Sequence, residues 1–133
     1  MKSPNLYPLM KTNLSYTQST LVTPELTASA MGSGELEVLA TPALVALMEH
    51  AARKAVADEL PAGSTTVGGE IRCKHLRPTA VGKKVTATAT LTAAENDRKL
   101  SFHITAEDEN GPIGEAEHTR FVVDSARFMS KLL

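Results

Sequence analysis

The feature that most constrains this chain is a change of period. From Leu44 to Val56 the apolar residues recur at helical spacing, and after Gly63 they alternate one by one. Helical spacing followed by strict alternation predicts one helix and then an antiparallel sheet with one buried face. Thr41 reads as the cap of that helix, with Pro42 at the first helical position, where a missing N–H does no harm. Leu44, Val45, Leu47, Met48, Ala51, Ala52, Ala55 and Val56 cover most of its surface, which predicts a largely buried helix. Arg53, Lys54, Asp58 and Glu59 mark the wetter side and end, and Pro61 and Gly63 stop it.

Residues 14–23, rich in Thr and β-branched side chains, read as a first strand. Pro24, Gly32 and Gly34 make 24–35 a loop or short helix. Beyond Gly63, Val67, Gly69, Ile71, Cys73 and His75 share one parity. Val85, Ala87, Ala89, Leu91 and Ala93 then alternate with threonines, and Leu100, Phe102, Ile104 and Ala106 follow. Turns fall at 95–98 and at Asn110-Gly111, and a last strand covers about 113–123. The order is strand, helix, four strands, so the fold class is α+β. Small residues at Ala87, Ala89, Gly114 and Ala116 would let the helix sit close to the sheet.

The 133 residues suit a single domain, spanning 1–133 with a poorly patterned lead-in over 1–13. A net charge of -1 without a basic stretch lacks the footprint of a nucleic-acid binder. No apolar run is long enough to span a bilayer, and Pro4, Asn5 and Pro8 interrupt any leader-like core. The lone Cys73 makes a reducing setting the simpler one, and the expected localisation is cytoplasmic. Cys and His spacings match no zinc pattern, so no metal is expected.

Three stretches, 39–51 (LATPALVALMEHA), 67–91 (VGGEIRCKHLRPTAVGKKVTATATL) and 114–123 (GEAEHTRFVV), resemble the fluoroacetyl-CoA thioesterase family of hotdog-fold enzymes. The resemblance spans roughly 14 to 129. It implies a hotdog fold, a sheet wrapped around one long helix. It also implies hydrolysis of a small acyl-CoA and a homodimer, with pairing of dimers into a tetramer left open. No cofactor is implied, since CoA is part of the substrate. The family's catalytic Thr, Glu and His fall on Thr41, Glu49 and His75. Its backbone contact falls on Gly68, with Gly69 beside it, and a last-strand Arg falls on Arg120 as a substrate-binding match. Two departures stand out. Pro42 replaces the usual Gly and has no N–H for an oxyanion, so a donor from this helix end must be another residue, such as Thr41 or Ala43. The family enzyme's phenylalanine lid has no counterpart in Met31-Gly32-Ser33-Gly34-Glu35.

The residues also speak for themselves. Glu49 lies among Leu47, Met48, Ala51 and Ala52, where partial desolvation would make it a better base. Its structural alternative is a carboxylate paired with a Lys or Arg. His75 lies on the helix-facing parity, where a satisfied core histidine is the alternative. Thr41 has the plain job of capping. Geometry adds a condition. Eight helical residues separate Thr41 from Glu49, a rise of about 12 Å, and seven strand residues separate Gly68 from His75, about 23 Å. One thioester carbon cannot touch both ends, so a composite site at a two-fold interface is expected. Two other functions remain beside hydrolysis: a non-catalytic acyl-CoA binding module, and an enoyl-CoA hydratase, which would use an Asp and a His near the helix start. Residues 41–50 contain no Asp.

Overall fold

The computed structural model describes Met10 and residues 12–133, so most of the 1–13 lead-in lies outside the described residues. Strand β1 (Ser15–Leu21) is followed by a 3₁₀ turn (Pro24–Leu26) and a short helix α1 (Ala28–Met31). The long helix α2 (Thr41–Val56) ends in a 3₁₀ turn (Ala57–Glu59). Strands β2 (Ser64–His75), β3 (Lys84–Glu95), β4 (Lys99–Asp108) and β5 (Gly111–Asp124) follow, then a short helix α3 (Ser125–Ser130). The five strands form one antiparallel sheet in the order β1-β3-β4-β5-β2. The α+β reading holds. No period-based signal marked α3, a one-turn-scale helix capped by Asp124 through the Arg127 N–H.

α2 lies on one face of the sheet. Leu44, Met48, Ala52 and Val56 repeat every four residues, so they stack on one side of the helix. They are fully buried with Val85, Ala87, Ala89, Leu91, Phe102, Ile104 and Ile113. The expected close approach is present at Gly114: a Cβ there would lie 2.9 Å from the Lys74 carbonyl oxygen and 3.2 Å from Leu44 Cδ2. The opposite side of α2 is not covered by the described residues. Ala46 is exposed and Val45, Leu47, Glu49 and Ala55 are half-buried, so the helix is sealed on one side only.

Two local expectations need correcting. Thr41 does not cap α2. Ala40 holds the cap position, Thr41 is the first helical residue and Pro42 the second. Proline tolerates either place, because none of the first N–H groups of a helix has an intrahelical partner. The simple parity of β2 also fails. The register slips between Gly68 and Glu70, a β-bulge that leaves Gly69 without its own partner. Val67 and Gly69 therefore lie on the outer face, where Val67 pairs with Phe121 and a Cβ on Gly69 would meet the Phe121 ring at 2.5 Å. Thr66, Gly68, Ile71, Cys73 and His75 pair with the inward-facing Val122, Arg120, His118, Ala116 and Gly114.

Gly114→Ala should destabilise the protein by about 1–3 kcal/mol, the usual cost of overpacking against a backbone that cannot move aside. A urea unfolding midpoint equal to that of the parent would show that α2 does not press on β5 in solution.

Candidate active site

The chain entering α2 is fastened to the chain leaving β2. The Leu39 N–H donates to the Thr79 carbonyl at 2.9 Å, and Val38 bridges to Ala80. The segment after β2 is fastened in turn to the β4–β5 hairpin. Arg77 Nη2 donates to Asp108 Oδ1 at 2.7 Å and to the Gly111 carbonyl at 2.9 Å, and Thr79 Oγ1 donates to Asp108 Oδ2 at 2.8 Å. Burial pushes the Asp108 pKa up, but the bonds from Arg77, the Asn110 N–H and Thr79 outweigh it and hold it below the usual carboxylate range. Nothing in the spacing of Arg77 and Asp108 signalled this clamp.

Its consequence is a meeting of Thr41 and His75. Thr41 Oγ1 lies 2.8 Å from His75 Nδ1. Freed from capping, the hydroxyl is available to the imidazole. Burial lowers the His75 pKa, opposed by the Arg77 backbone, so the ring is neutral near neutral pH. With its proton on Nε2, it accepts the hydroxyl proton of Thr41 at Nδ1. Nε2 itself is buried and has no hydrogen-bond partner among the described residues. Buried polar atoms are rarely left so, and functional sites are where exceptions collect. A cavity of about 260 Å³ opens beside this pair, lined by Thr41, His75, Ser33, Leu39 and Pro78 among others.

Glu49 belongs to a second cluster, two helical turns further on. Its Oε2 lies 3.7 Å from Arg120 Nη1 and 4.0 Å from His118 Nε2, and its side chain keeps 40% of its exposure. Gly68 faces it: a Cβ at that position would lie 2.7 Å from Glu49 Oε2. Glycine at 68 therefore leaves room for the carboxylate to lie against the β2 backbone. Arg120 is buried and held by Thr66, donating from Nε to Oγ1 at 2.8 Å and from Nη2 to the carbonyl at 3.0 Å. Burial lowers its pKa, Glu49 opposes that and Arg53 adds to it, yet a guanidinium stays charged.

His118 completes this cluster. Its Nδ1 lies 2.7 Å from the Glu70 carbonyl, beside the bulge, and its Nε2 lies 3.2 Å from Arg120 Nη1. A carbonyl accepts and a guanidinium donates, so the proton is on Nδ1 and Nε2 carries the lone pair. Burial lowers the His118 pKa most, and Arg120 lowers it further, against the Glu70 carbonyl and Glu49. The contact with Glu49 is thus not an ion pair. The sequence places His118 in the last strand beside Arg120, where it could line a site; its tie to the Glu70 carbonyl needs the bulge. His103 turns to the outer face and pairs with Glu117 at 2.6 Å. Cys73 points at Met48 Sδ, 3.8 Å away, and burial pushes its thiol pKa up, which lowers its thiolate fraction. No group of three or more metal-binding side chains occurs among the described residues, and none of their helices is long and apolar enough to cross a membrane.

Within one chain, then, the structure brings Thr41 to His75, and Glu49 to Gly68 and Arg120, but not the first pair to the second group. Gly69 lies on the bulge with its α-carbon toward Phe121. Histidines of the unfolded chain titrate near about 6.5, above the lowered values of His75 and His118, so the unfolded state takes up protons first as pH falls. Stability is complete above about pH 6.5 and declines below it. His118→Gln should remove part of that decline, read as urea midpoints between about pH 7 and about pH 5. An undiminished decline would mean that His118 is already protonated in the fold.

Comparison with known proteins places the chain in a defined family. The fluoroacetyl-CoA-specific thioesterase family, FlK, matches residues 22–126. The fluoroacetyl-CoA thioesterase of Streptantibioticus cattleyicolor is 38% identical over 96 residues, covering 72% of this chain and 68% of that protein. The solved structure of fluoroacetyl-CoA thioesterase FlK superposes with a TM-score of 0.86 at 33% identity, covering 92% of this chain and 95% of that one. A hot-dog-like protein from Thermanaerovibrio acidaminovorans superposes with a TM-score of 0.83 at 23% identity, covering 99% and 95%, and shares the fold.

Proposed function

The chain belongs to the fluoroacetyl-CoA-specific thioesterase family and is an acyl-CoA thioesterase of the hotdog fold, and we propose that it hydrolyses a small acyl-CoA at a site completed by a second copy of itself. The observation that carries this reading is the division of the candidate groups. Thr41 and His75 are hydrogen-bonded at one end of α2, while Glu49, Gly68 and Arg120 gather further along the same helix. Two further features support a partner. β2 is a sheet edge twelve residues long, and an unpaired edge of that length is a template for another strand. The side of α2 left open by the described residues carries Val45, Ala46, Leu47 and Ala55.

Antiparallel pairing of two β2 edges would bring the halves together. A two-fold axis between Ile71 and Arg72 sets His75 opposite the partner's Gly68. Thr41 and His75 of one protomer then share a substrate with Glu49, Gly68 and Arg120 of the other, giving two sites per dimer. In this reading the thioester carbonyl accepts from backbone N–H groups, Gly68 foremost, with the positive end of α2 nearby. Glu49 and His75 activate the nucleophile, water or the Thr41 hydroxyl. Addition to the carbonyl carbon and loss of the thiolate leave the free acid and CoA. Water enters the products whichever nucleophile attacks first.

Glu49→Gln should lower kcat for acetyl-CoA by roughly a hundredfold or more, the usual contribution of a positioned base, while CoA still binds. Equal loss of binding and turnover would make Glu49 a binding group only. Mixed dimers test the composite site. Thr41→Ala and Glu49→Ala proteins, each inactive alone, should recover about a quarter of wild-type activity after co-refolding, because half of the dimers are mixed and each of these holds one intact site. No recovery, with mixed dimers present, would place all the groups in one protomer.

A further inference from the structure

His118 has no place in the hydrolysis itself, yet it borders every part of the Glu49 cluster. It lies on β5 between Ile71 of β2 and Phe102 of β4, its ring 6.0 Å from the fully buried Phe102 ring. Its side chain keeps 1% of its exposure, against 8% for Arg120 and 40% for Glu49. A Cβ on Gly68 would lie 2.7 Å from Glu49 Oε2, 3.4 Å from Arg120 Nη1 and 3.5 Å from His118 Cε1, so three side chains crowd one point of the β2 backbone. Both ring nitrogens are engaged: Nδ1 donates to the Glu70 carbonyl at 2.7 Å, and Nε2 accepts from Arg120 Nη1 at 3.2 Å.

The donors of Arg120 show what this achieves. Nε goes to Thr66 Oγ1 and Nη2 to the Thr66 carbonyl. Nη1 is the nitrogen that remains for Glu49, and His118 shares it: Glu49 Oε2 stands off at 3.7 Å. That is longer than a charge-assisted hydrogen bond, about 2.7–2.9 Å. A guanidinium free to turn closes on a carboxylate with two parallel bonds. Here Thr66 and His118 pin all three nitrogens, and the fork cannot turn. A carboxylate that accepts such bonds is a weakened base, whereas one held off from the cation keeps its lone pairs for a proton. We propose that His118 is a positioning residue for the thioesterase reaction: it holds Arg120 Nη1 back from Glu49, so that the Glu49 carboxylate stays free to take the proton of the attacking nucleophile. The assignment rests on the reading of Glu49 as the base and adds the group that keeps it one.

Two amides separate the two bonds of the ring. His118→Asn keeps a donor in the place of Nδ1 for the Glu70 carbonyl and loses the acceptor for Arg120. His118→Gln reaches the place of Nε2 and keeps that acceptor. With acetyl-CoA, His118→Asn should lower kcat about tenfold or more, as for a catalytic group displaced by a fraction of an ångström, with KM within about twofold. His118→Gln should stay within about threefold of wild type in both. Equal losses of kcat in the two variants, or a change in KM alone, would overturn the proposal. Adding His118→Asn to Glu49→Gln reads the coupling: the residual kcat should change less than about twofold, because the group that His118 serves is gone. A further drop as large as that in the parent would overturn the proposal. Should His118→Asn fail to fold, Thr66→Val decides, since it removes another hold on Arg120 and leaves His118 in place; kcat should fall with KM kept, and wild-type kcat would overturn the proposal. Wild-type turnover by Glu49→Gln would overturn the base reading together with this one. A roughly hundredfold loss there, beside an unimpaired His118→Asn, would overturn the role of His118 alone.

Discussion

One helix has to cover one face of a five-stranded sheet, and the rest of the molecule follows from how closely it can approach. Leu44, Met48, Ala52 and Val56 face a buried sheet surface that mixes larger residues such as Phe102 and Ile104 with Ala87, Ala89, Ala106 and Ala116 and has no side chain at Gly114. Gly114 is one close point, because a methyl group there would press on Leu44 of the helix and on the Lys74 carbonyl of the neighbouring strand. That depth determines which strand residues lie beside which helical turn. Without it, neither Thr41 beside His75 nor Glu49 beside Gly68 would be in reach.

A second constraint is the burial of Arg120. A buried guanidinium is tolerable only when its donors are satisfied. Thr66 takes two of them and a neutral His118 takes another, leaving Glu49 as the nearby negative charge. The arrangement works because the His118 proton goes to the Glu70 carbonyl. The bulge at Gly69 is thus tied to charge placement as well as to strand shape.

Period and turn chemistry made the α+β architecture legible. The helix, the alternating strands and both hairpins appear where the apolar spacing and the turn residues put them, and Asn96 and Asp97 adopt the positive φ that a tight hairpin turn demands. Three local features were not legible, for distinct reasons. The cap of α2 could fall on Thr41 or one residue earlier, since Pro42 suits either of the first two helical positions. The bulge adds a residue without altering composition, so strict alternation assigned Val67 and Gly69 to the wrong face. Helix α3 is too short for a periodic signal.

What the sequence by itself determined is the set of chemical groups and the layers that carry them: a Thr and a Glu on one helix, a His and paired glycines on one strand, an Arg on the last. Local spacing is enough for that, because hydrophobic period and side-chain chemistry are properties of neighbours along the chain. Only the tertiary structure decided which groups meet. Thr41 and His75 are 34 residues apart and are joined through the Arg77–Asp108 clamp. Arg120 reaches Thr66 across 54 residues and Glu49 across the helix–sheet gap. Such meetings depend on register and on the depth of packing, and both arise from contacts between distant segments that no stretch of sequence contains.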